Sequence, residues 1–312
     1  MSIILKDKIE DLNYEEIYDL LKNKGKSLEY CKKAFSNTNY FVLAYKNSEL
    51  VGVVRALVDG DDWSILYDLY AKDLDYSILN ELLNEIISKL GKRHIFTYDN
   101  SYDISFYENR GFLRTKTGFT YDLGRDNDIY LPQNFKYPEE LFIDKKSKPT
   151  KNKSKYDKSL ISIQYTNENN KDYKRINEIL SKAFNRERDI NNTIKDFEAS
   201  EYYSYAYVDS KLVGVSRAIT DKAFNAFILN VGVDPDYQGL GIGYNLVLKL
   251  GEKLKENGYI PFLHTHPGAV GFYTREGFRR NKYAYEYIHD SEPIEVVKLF
   301  DLPKGFRFID EI

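Results

Sequence analysis

The chain contains the same text twice. ELVGVVRA at 49–56 returns as KLVGVSRA at 211–218, and SFYENRGF at 105–112 returns as GFYTREGF at 271–278. Self-similarity constrains a fold more tightly than composition does, because a recurring segment is a recurring structural unit. Each copy of the first segment follows a tyrosine-rich alternating stretch, YFVLAYKN or YYSYAYVD, and each pair reads as two antiparallel strands with a short turn. WSILYDLYAK and AFILNVGVDP align as a third strand with Ile65 on Ile228. Helices with apolar faces follow, marked by Ile78, Leu79, Leu82, Leu83, Ile86 and Ile87 in one half and Leu246, Val247, Leu250 and Leu254 in the other. HIFTYDN and IPFLHTH each read as one more strand, and YEEIYDLLKNK and KDYKRINEILSKAF supply the opening helices.

Each half is therefore predicted as strand, two helices, three antiparallel strands, helix, strand, helix, strand. This is an α+β layout, a mixed and mostly antiparallel sheet flanked by helices, with one βαβ crossover. The offset grows from 163 (65 to 228) to 166 (107 to 273), so the first half is expected to be three residues shorter near the strand-to-helix loop.

A chain of 312 residues can bury two such cores. The expected partition is 1–124, a connecting segment with a Lys-rich linker at 125–158, and 159–312. KKSKPTKNKSKYDKS at 145–159 lacks apolar periodicity and reads as an exposed linker. Residues 124–144 and those after 290 are apolar enough to pack, with no domain indicated. A net charge of -3 and a pI near 5.9 supply no general basic field, so neither nucleic acid nor an anionic membrane is expected as a partner. The single cysteine, Cys31, excludes an internal disulfide, and no apolar run suits a signal peptide or a membrane span. The expectation is a cytoplasmic protein. With 28 tyrosines in the chain, an isolated tyrosine carries no signal.

NVGVDPDYQGLGIGYNL, at 230–246, passes from a strand through a Pro-containing turn into a glycine-rich loop that opens a helix. Such a loop suits an anion, because glycines permit close backbone approach, helix N-terminal N–H groups lack internal partners, and the helix dipole favours negative charge. A dinucleotide G-x-G-x-x-G would require glycine where Tyr244 or Leu246 stands, and a Walker loop would require an absent Lys-Ser/Thr pair. What remains is Gln-x-x-Gly-x-Gly, from Gln238, Gly241 and Gly243.

With the preceding V-x-V-x-P strand and the later F-Y-x-x-x-G-F element, this resembles the GNAT superfamily of acetyl-CoA-dependent N-acetyltransferases over nearly all of 159–290, and the two-copy chain resembles its tandem type. The resemblance implies acetyl-CoA as co-substrate. Its pyrophosphate would lie on the backbone of Gln238, Gly239, Leu240, Gly241, Ile242, Gly243 and Tyr244. Its pantetheine arm would lie along Val231, Gly232 and Val233, where the third strand splays at a bulge, with Gly232 suited to it. The resemblance also implies that Tyr273 protonates the leaving thiolate and that the Val233 N–H supports the oxyanion. Where the family often has Asn seven residues before the tyrosine, this chain has His266. For the general base, Asn230 offers no carboxylate; His264 and His266, alternating on one strand face, are the candidates, with Asp221 a weaker one. A zinc site is not expected, since only His289 adds to those two histidines in that half.

The first half departs from this pattern. Val233-Asp-Pro becomes Tyr70-Ala-Lys, and the glycine loop becomes DLDYS at 73–77, placing Asp73 and Asp75 where a pyrophosphate would sit. Asn100, Phe106, Tyr107, Gly111 and Phe112 remain, as packing alone would require. The expected arrangement is a degenerate first domain and a catalytic second one that acetylates a small-molecule amine. A protein or peptide amine, or a catalytically silent acyl-CoA sensor, are the alternatives.

Overall fold

The computed structural model describes residues 3–120 and 158–287, apart from 61, 100, 103, 116–117, 266–268, 270–271, 274–277 and 282–283. His266 and His289, Asn100, the segments 124–144 and 291–312 and nearly all of the Lys-rich linker lie outside the described residues.

Local sequence starts each helix. β1 (Ile4–Lys6) leads to α1 (Tyr14–Leu21) and α2 (Leu28–Ser36), where Asn13 and Ser27 accept from the N–H groups of Glu16 and Tyr30. Then come β2 (Tyr40–Lys46), β3 (Glu49–Asp59), β4 (Trp63–Ala71), α3 (Tyr76–Leu90), β5 (His94–Tyr98), α4 (Ile104–Glu108), β6 (Phe112–Arg114) and β7 (Gly118–Thr120). The second half repeats the order with β8 (Ile161–Thr166), α5 (Tyr173–Ala183), α6 (Ile190–Glu198), β9 (Tyr202–Val208), β10 (Lys211–Thr220), β11 (Asn225–Val233), α7 (Ile242–Glu256), β12 (Ile260–His264), β13 (Arg279–Arg280) and β14 (Ala284–Tyr287). The predicted α+β succession is present in the first half and, in the second, through β12; the helix predicted at the second F-Y-x-x-x-G-F element lies largely outside the described residues.

The described strands form two seven-stranded sheets, β1-β2-β3-β4-β5-β14-β6 and β13-β7-β12-β11-β10-β9-β8. Within each, the single parallel pair spans the βαβ crossover, β4 with β5 across α3 and β11 with β12 across α7. The compact units do not follow the halves of the sequence. One unit comprises residues 3–114 with 221–224 and 284–287, and the other comprises 115–120, 158–220 and 225–281. Thus β14 completes the first sheet between β5 and β6, and β7 completes the second between β12 and β13. An alternating pattern marks a strand but not its neighbour, since any extended backbone edge can accept another.

Helices cover both faces of each sheet. In the first unit, Ile78, Leu82, Leu83 and Ile86 of α3 pack on Val42, Val54 and Ala56, while Ile17, Leu21, Cys31 and Phe35 meet Leu43 and Val53 on the other face. In the second, Val247, Leu250 and Leu254 of α7 pack on Ala226, Ile228 and Leu263, and Ile176, Ile179, Leu180 and Phe197 cover Tyr203, Tyr205 and Val215. Gly52 and Gly214, the glycines of the repeated VGV, let these helices approach. A Cβ on Gly52 would stand 2.7 Å from Ile78 Cγ2, and one on Gly214 would stand 2.9 Å from Leu246 Cδ1.

Strand register corrects the alignment by one residue. Gly52 faces Ala71 and Ala56 faces Leu66, while Gly214 faces Val233 and Ala218 faces Ile228, so Leu66 rather than Ile65 is the counterpart of Ile228. A one-residue slip would turn every β4 side chain to the wrong face. Val233 accordingly corresponds to Ala71, not Tyr70. The connection from strand to helix is residues 72–75 in the first unit against 234–241 in the second, four residues against eight, so the first is shorter by four rather than three.

Candidate active site

The site grows from the end of β11. Asp234, 1% exposed, fixes the turn: its backbone N–H donates to Val213 O at 2.8 Å, and its Oδ2 lies 2.7 Å from an Arg175 guanidinium nitrogen on α5. Pro235–Tyr237 forms one 3₁₀ turn, and Gln238 folds back so that Nε2 donates to Val233 O at 3.1 Å. Gly239 and Gly241 both adopt φ of 81°, a left-handed conformation that a side chain disfavours. Leu240 and Ile242 anchor the loop in a core with Val233, Tyr237 and Leu246. Gly241 is the N-cap of α7 and, without a side chain, supplies no capping oxygen to the first-turn N–H groups of Ile242, Gly243 and Tyr244. Gly243 lies beneath Phe272, where a Cβ would stand 3.5 Å from the ring.

β11 bulges before this loop. Val215 pairs with Gly232 and Arg217 pairs with Leu229, so Asn230 and Val231 together oppose one residue, Ser216. Asn230 is left-handed, with φ of 50°. The bulge therefore sits on Asn230–Val231, while Gly232 is a paired residue whose Cβ would come within 2.8 Å of Leu180 Cδ2. Close packing of α5 is what glycine serves there. Val231 is half-buried, and Gly232 and Val233 are buried.

Tyr273 is 6% exposed, its ring 4.9 Å from Phe272 and 5.6 Å from Phe278, both edge-on. Burial raises its phenol well above the ordinary value, with a Thr265 hydrogen bond opposing, so the hydroxyl keeps its proton at neutral pH. His264, half-buried, ends β12 opposite Gly118 of β7. Asp221 is fully buried in the first unit, 2.7 Å from the Arg55 guanidinium, which commits its carboxylate to a cation.

Reading the sequence for chemistry missed two buried arginines. Arg217 of β10 donates from Nε to Asn230 Oδ1, and from a terminal nitrogen to Ser200 Oγ at 2.9 Å and Asp196 O at 3.0 Å. Its other terminal nitrogen lies 3.4 Å from Asp196 Oδ2, a carboxylate shared with Arg188. The counterpart, Arg55, donates from Nε to Asp68 Oδ2 at 2.5 Å and from a terminal nitrogen to Tyr30 Oη at 2.9 Å. The available signal was an arginine inside an otherwise apolar strand, twice, at the same place in the repeat.

The first unit treats its helix start differently. Asp75 caps α3 by accepting from Ser77 N at 2.9 Å and Ile78 N at 3.4 Å, occupying the groups that α7 leaves open. Asp73 and Leu74 are left-handed without being glycine. Tyr107 repeats the Tyr273 packing, edge-on to Phe106 and Phe112, but its hydroxyl donates to Asp99 Oδ2 at 2.6 Å. Asp99 stands where Thr265 stands in the second copy, 166 residues on.

Comparison with known proteins agrees with this geometry. Residues 167–278 match the model of the Acetyltransferase (GNAT) family. The chain is similar to GCN5-related N-acetyltransferase 2, chloroplastic, of Arabidopsis thaliana, 46% identical over 72 residues, 22% of this chain and 28% of that one. It is also similar to an uncharacterized N-acetyltransferase, ycf52, of Pyropia yezoensis, 41% identical over 71 residues, 22% of this chain and 41% of that one. The chain thus spans under half the length of these curated relatives. Among solved structures, a tandem GNAT protein from the clavulanic acid biosynthesis pathway matches 91% of this chain and 97% of its own, with a TM-score of 0.52 and 14% identity. A GCN5-related N-acetyltransferase from Sphaerobacter thermophilus matches 91% and 94%, with a TM-score of 0.50 and 16% identity. The fold is that of a tandem GNAT protein. Residues 167–278 are thus similar to the GNAT acetyltransferases, a family that generally uses acetyl-CoA.

Proposed function

We propose that the second unit transfers an acetyl group from acetyl-CoA to a primary amine of a small molecule. The observation that carries this reading is the start of α7: two left-handed glycines, no side-chain cap, and a bulged strand leading in. Unclaimed N–H groups at a helix N-terminus favour a phosphate, so the backbone from Gln238 to Tyr244 would hold the pyrophosphate. Val231, Gly232 and Val233 would line the pantetheine arm, with the Val233 N–H facing the oxyanion. Bound acetyl-CoA supplies a thioester carbon; the amine nitrogen bonds to it and the carbon–sulfur bond breaks. Tyr273, which keeps its proton at neutral pH, would give it to the departing sulfur. His264 or His266 would take the proton from the amine, directly or through water.

Likeness along nearly the whole chain to a tandem protein of a small-molecule pathway supports a small acceptor. A protein amine is the second reading, favoured by 44% identity over 70 residues to a histone acetyltransferase, TAP1, of Glycine max, 30% of whose length is matched. Thiol release from acetyl-CoA, measured against parallel panels of small amines and lysine peptides, tests both. Turnover confined to small amines supports the proposal, and turnover confined to peptides overturns it. Binding of acetyl-CoA with no thiol release from any amine would make the second unit a sensor.

A further inference from the structure

The two units share a device at the bulge that the pyrophosphate loop does not explain. In both sheets the bulge residue is left-handed without being glycine, Asp68 with φ of 51° and Asn230 with φ of 50°. In both, the register shift faces the residue just before a fully buried arginine, between Val53 and Arg55 and between Val215 and Arg217. In both, that arginine donates from Nε to the side-chain oxygen of the bulge residue. Asn and Asp are the side chains best suited to the left-handed region, and a short oxygen-bearing side chain there is within reach of the neighbouring strand. Arg217 is itself held from α6 through Asp196 O and the Asp196 carboxylate, and from just past it through Ser200 Oγ, with the Phe197 ring centroid 5.7 Å from the guanidinium carbon.

We propose that Arg217 and Asn230 are positioning residues that pin the β11 bulge, and so hold the Val231–Val233 backbone in the splayed form that receives an extended acyl-thioester arm. The inference rests on reading β11 as the cofactor strand. The pin is neutral on the strand side in the second unit and charged in the first. The anionic partner of Arg217, Asp196, stands on α6, whereas Asp68 carries its charge on the bulge itself. An amide at 230 keeps negative charge away from backbone N–H groups that would meet a developing oxyanion.

Two variants of the full chain separate pinning from simple stability. Asn230→Gly adopts the left-handed conformation without strain but removes the oxygen that Arg217 holds. Asn230→Asp retains both the oxygen and the tolerance for that conformation, and installs the first unit's charge. Hydrogen exchange of the amides at 229–233 in the ligand-free protein is the first readout, and the split of KM for acetyl-CoA from kcat is the second. In Asn230→Gly, exchange is expected to rise about tenfold at 229–233 beyond any general rise across the sheet, and KM by a similar factor, with a melting temperature lowered by the lost hydrogen bond to Arg217. In Asn230→Asp, protection and KM are expected to stay near wild type while kcat falls. Wild-type exchange in the Gly variant, or loss of protection in the Asp variant equal to that in Gly, overturns the pin. Faster exchange with an unchanged KM overturns its role in holding the cofactor strand. A higher kcat in Asn230→Asp overturns the argument for neutrality. If the wild-type chain neither binds nor turns over acetyl-CoA, the proposed function fails, and the exchange comparison still decides whether the pin exists.

Discussion

Two helices of equal length begin in opposite ways. α3 starts on Asp75, whose carboxylate takes the N–H groups of Ser77 and Ile78; α7 starts on Gly241, which takes none. Both follow the third strand of the same repeated motif and both cross to a parallel strand. The difference shows that one fold accommodates either kind of helix start. A capped N-terminus satisfies its own orphan donors and stabilises the helix, while an uncapped one leaves them for a ligand. The four extra residues before α7, with Gly239 and Gly241 left-handed among them, complete that contrast.

The largest test lies at the buried arginines. Arg55 lies beside two buried carboxylates, Asp68 and Asp221, whereas Asp196, the carboxylate beside Arg217 among the described residues, keeps Arg188 as a second cation. Arg55→Ala should therefore cost about 3–5 kcal/mol in urea unfolding, since removing one partner strands buried charge, and Arg217→Ala should cost less. Equal losses would erase the distinction drawn between the two networks.

At the helix starts, Gly241→Glu should weaken acetyl-CoA binding at least about 100-fold, roughly 2.8 kcal/mol, by adding both strain and like charge where the phosphates would sit. Calorimetry measures it. Asp75→Gly should create no binding in the first unit, because the short loop remains; measurable affinity there would show that the cap alone had closed the site.

The paired tyrosines make a smaller, sharper test. Tyr273→Phe should lower kcat by about tenfold or more, as loss of a general acid does, while Tyr107→Phe should leave kcat unchanged and cost about 1 kcal/mol through the lost hydrogen bond to the Asp99 carboxylate. Equal kcat effects in stopped-assay thiol release would undo the assignment of one tyrosine to chemistry and the other to packing. Smallest of all, Asp75→Ala should cost about 1 kcal/mol of stability, read as a shift in the melting temperature.

Much of this molecule is legible along the chain. Gln238, Gly241 and Gly243 single out the loop proposed for the phosphates because glycine conformation and the lack of a capping side chain are local properties, decided by residues a few positions apart. Asp75 signals the opposite outcome for the same reason. Arg55 and Arg217 are conspicuous as charges inside apolar strands, yet their partners are not, since Asp221 lies 166 residues from Arg55 and Asp196 reaches Arg217 from another element. Gly232 misleads, because a strand glycine serves a bulge or a close contact equally well, and here Leu180 decides for the contact.

By itself, then, the sequence determines the repeat, much of the order of helices and strands, and which helix start carries a capping side chain, all through short-range periodicity and capping. Tertiary structure decides the rest: β14 completing the first sheet, β7 completing the second, Leu66 rather than Ile65 as the counterpart of Ile228, and a bulge on Asn230. Backbone hydrogen bonds are alike at every residue, so sheet edge and register are chosen only when whole faces are buried together.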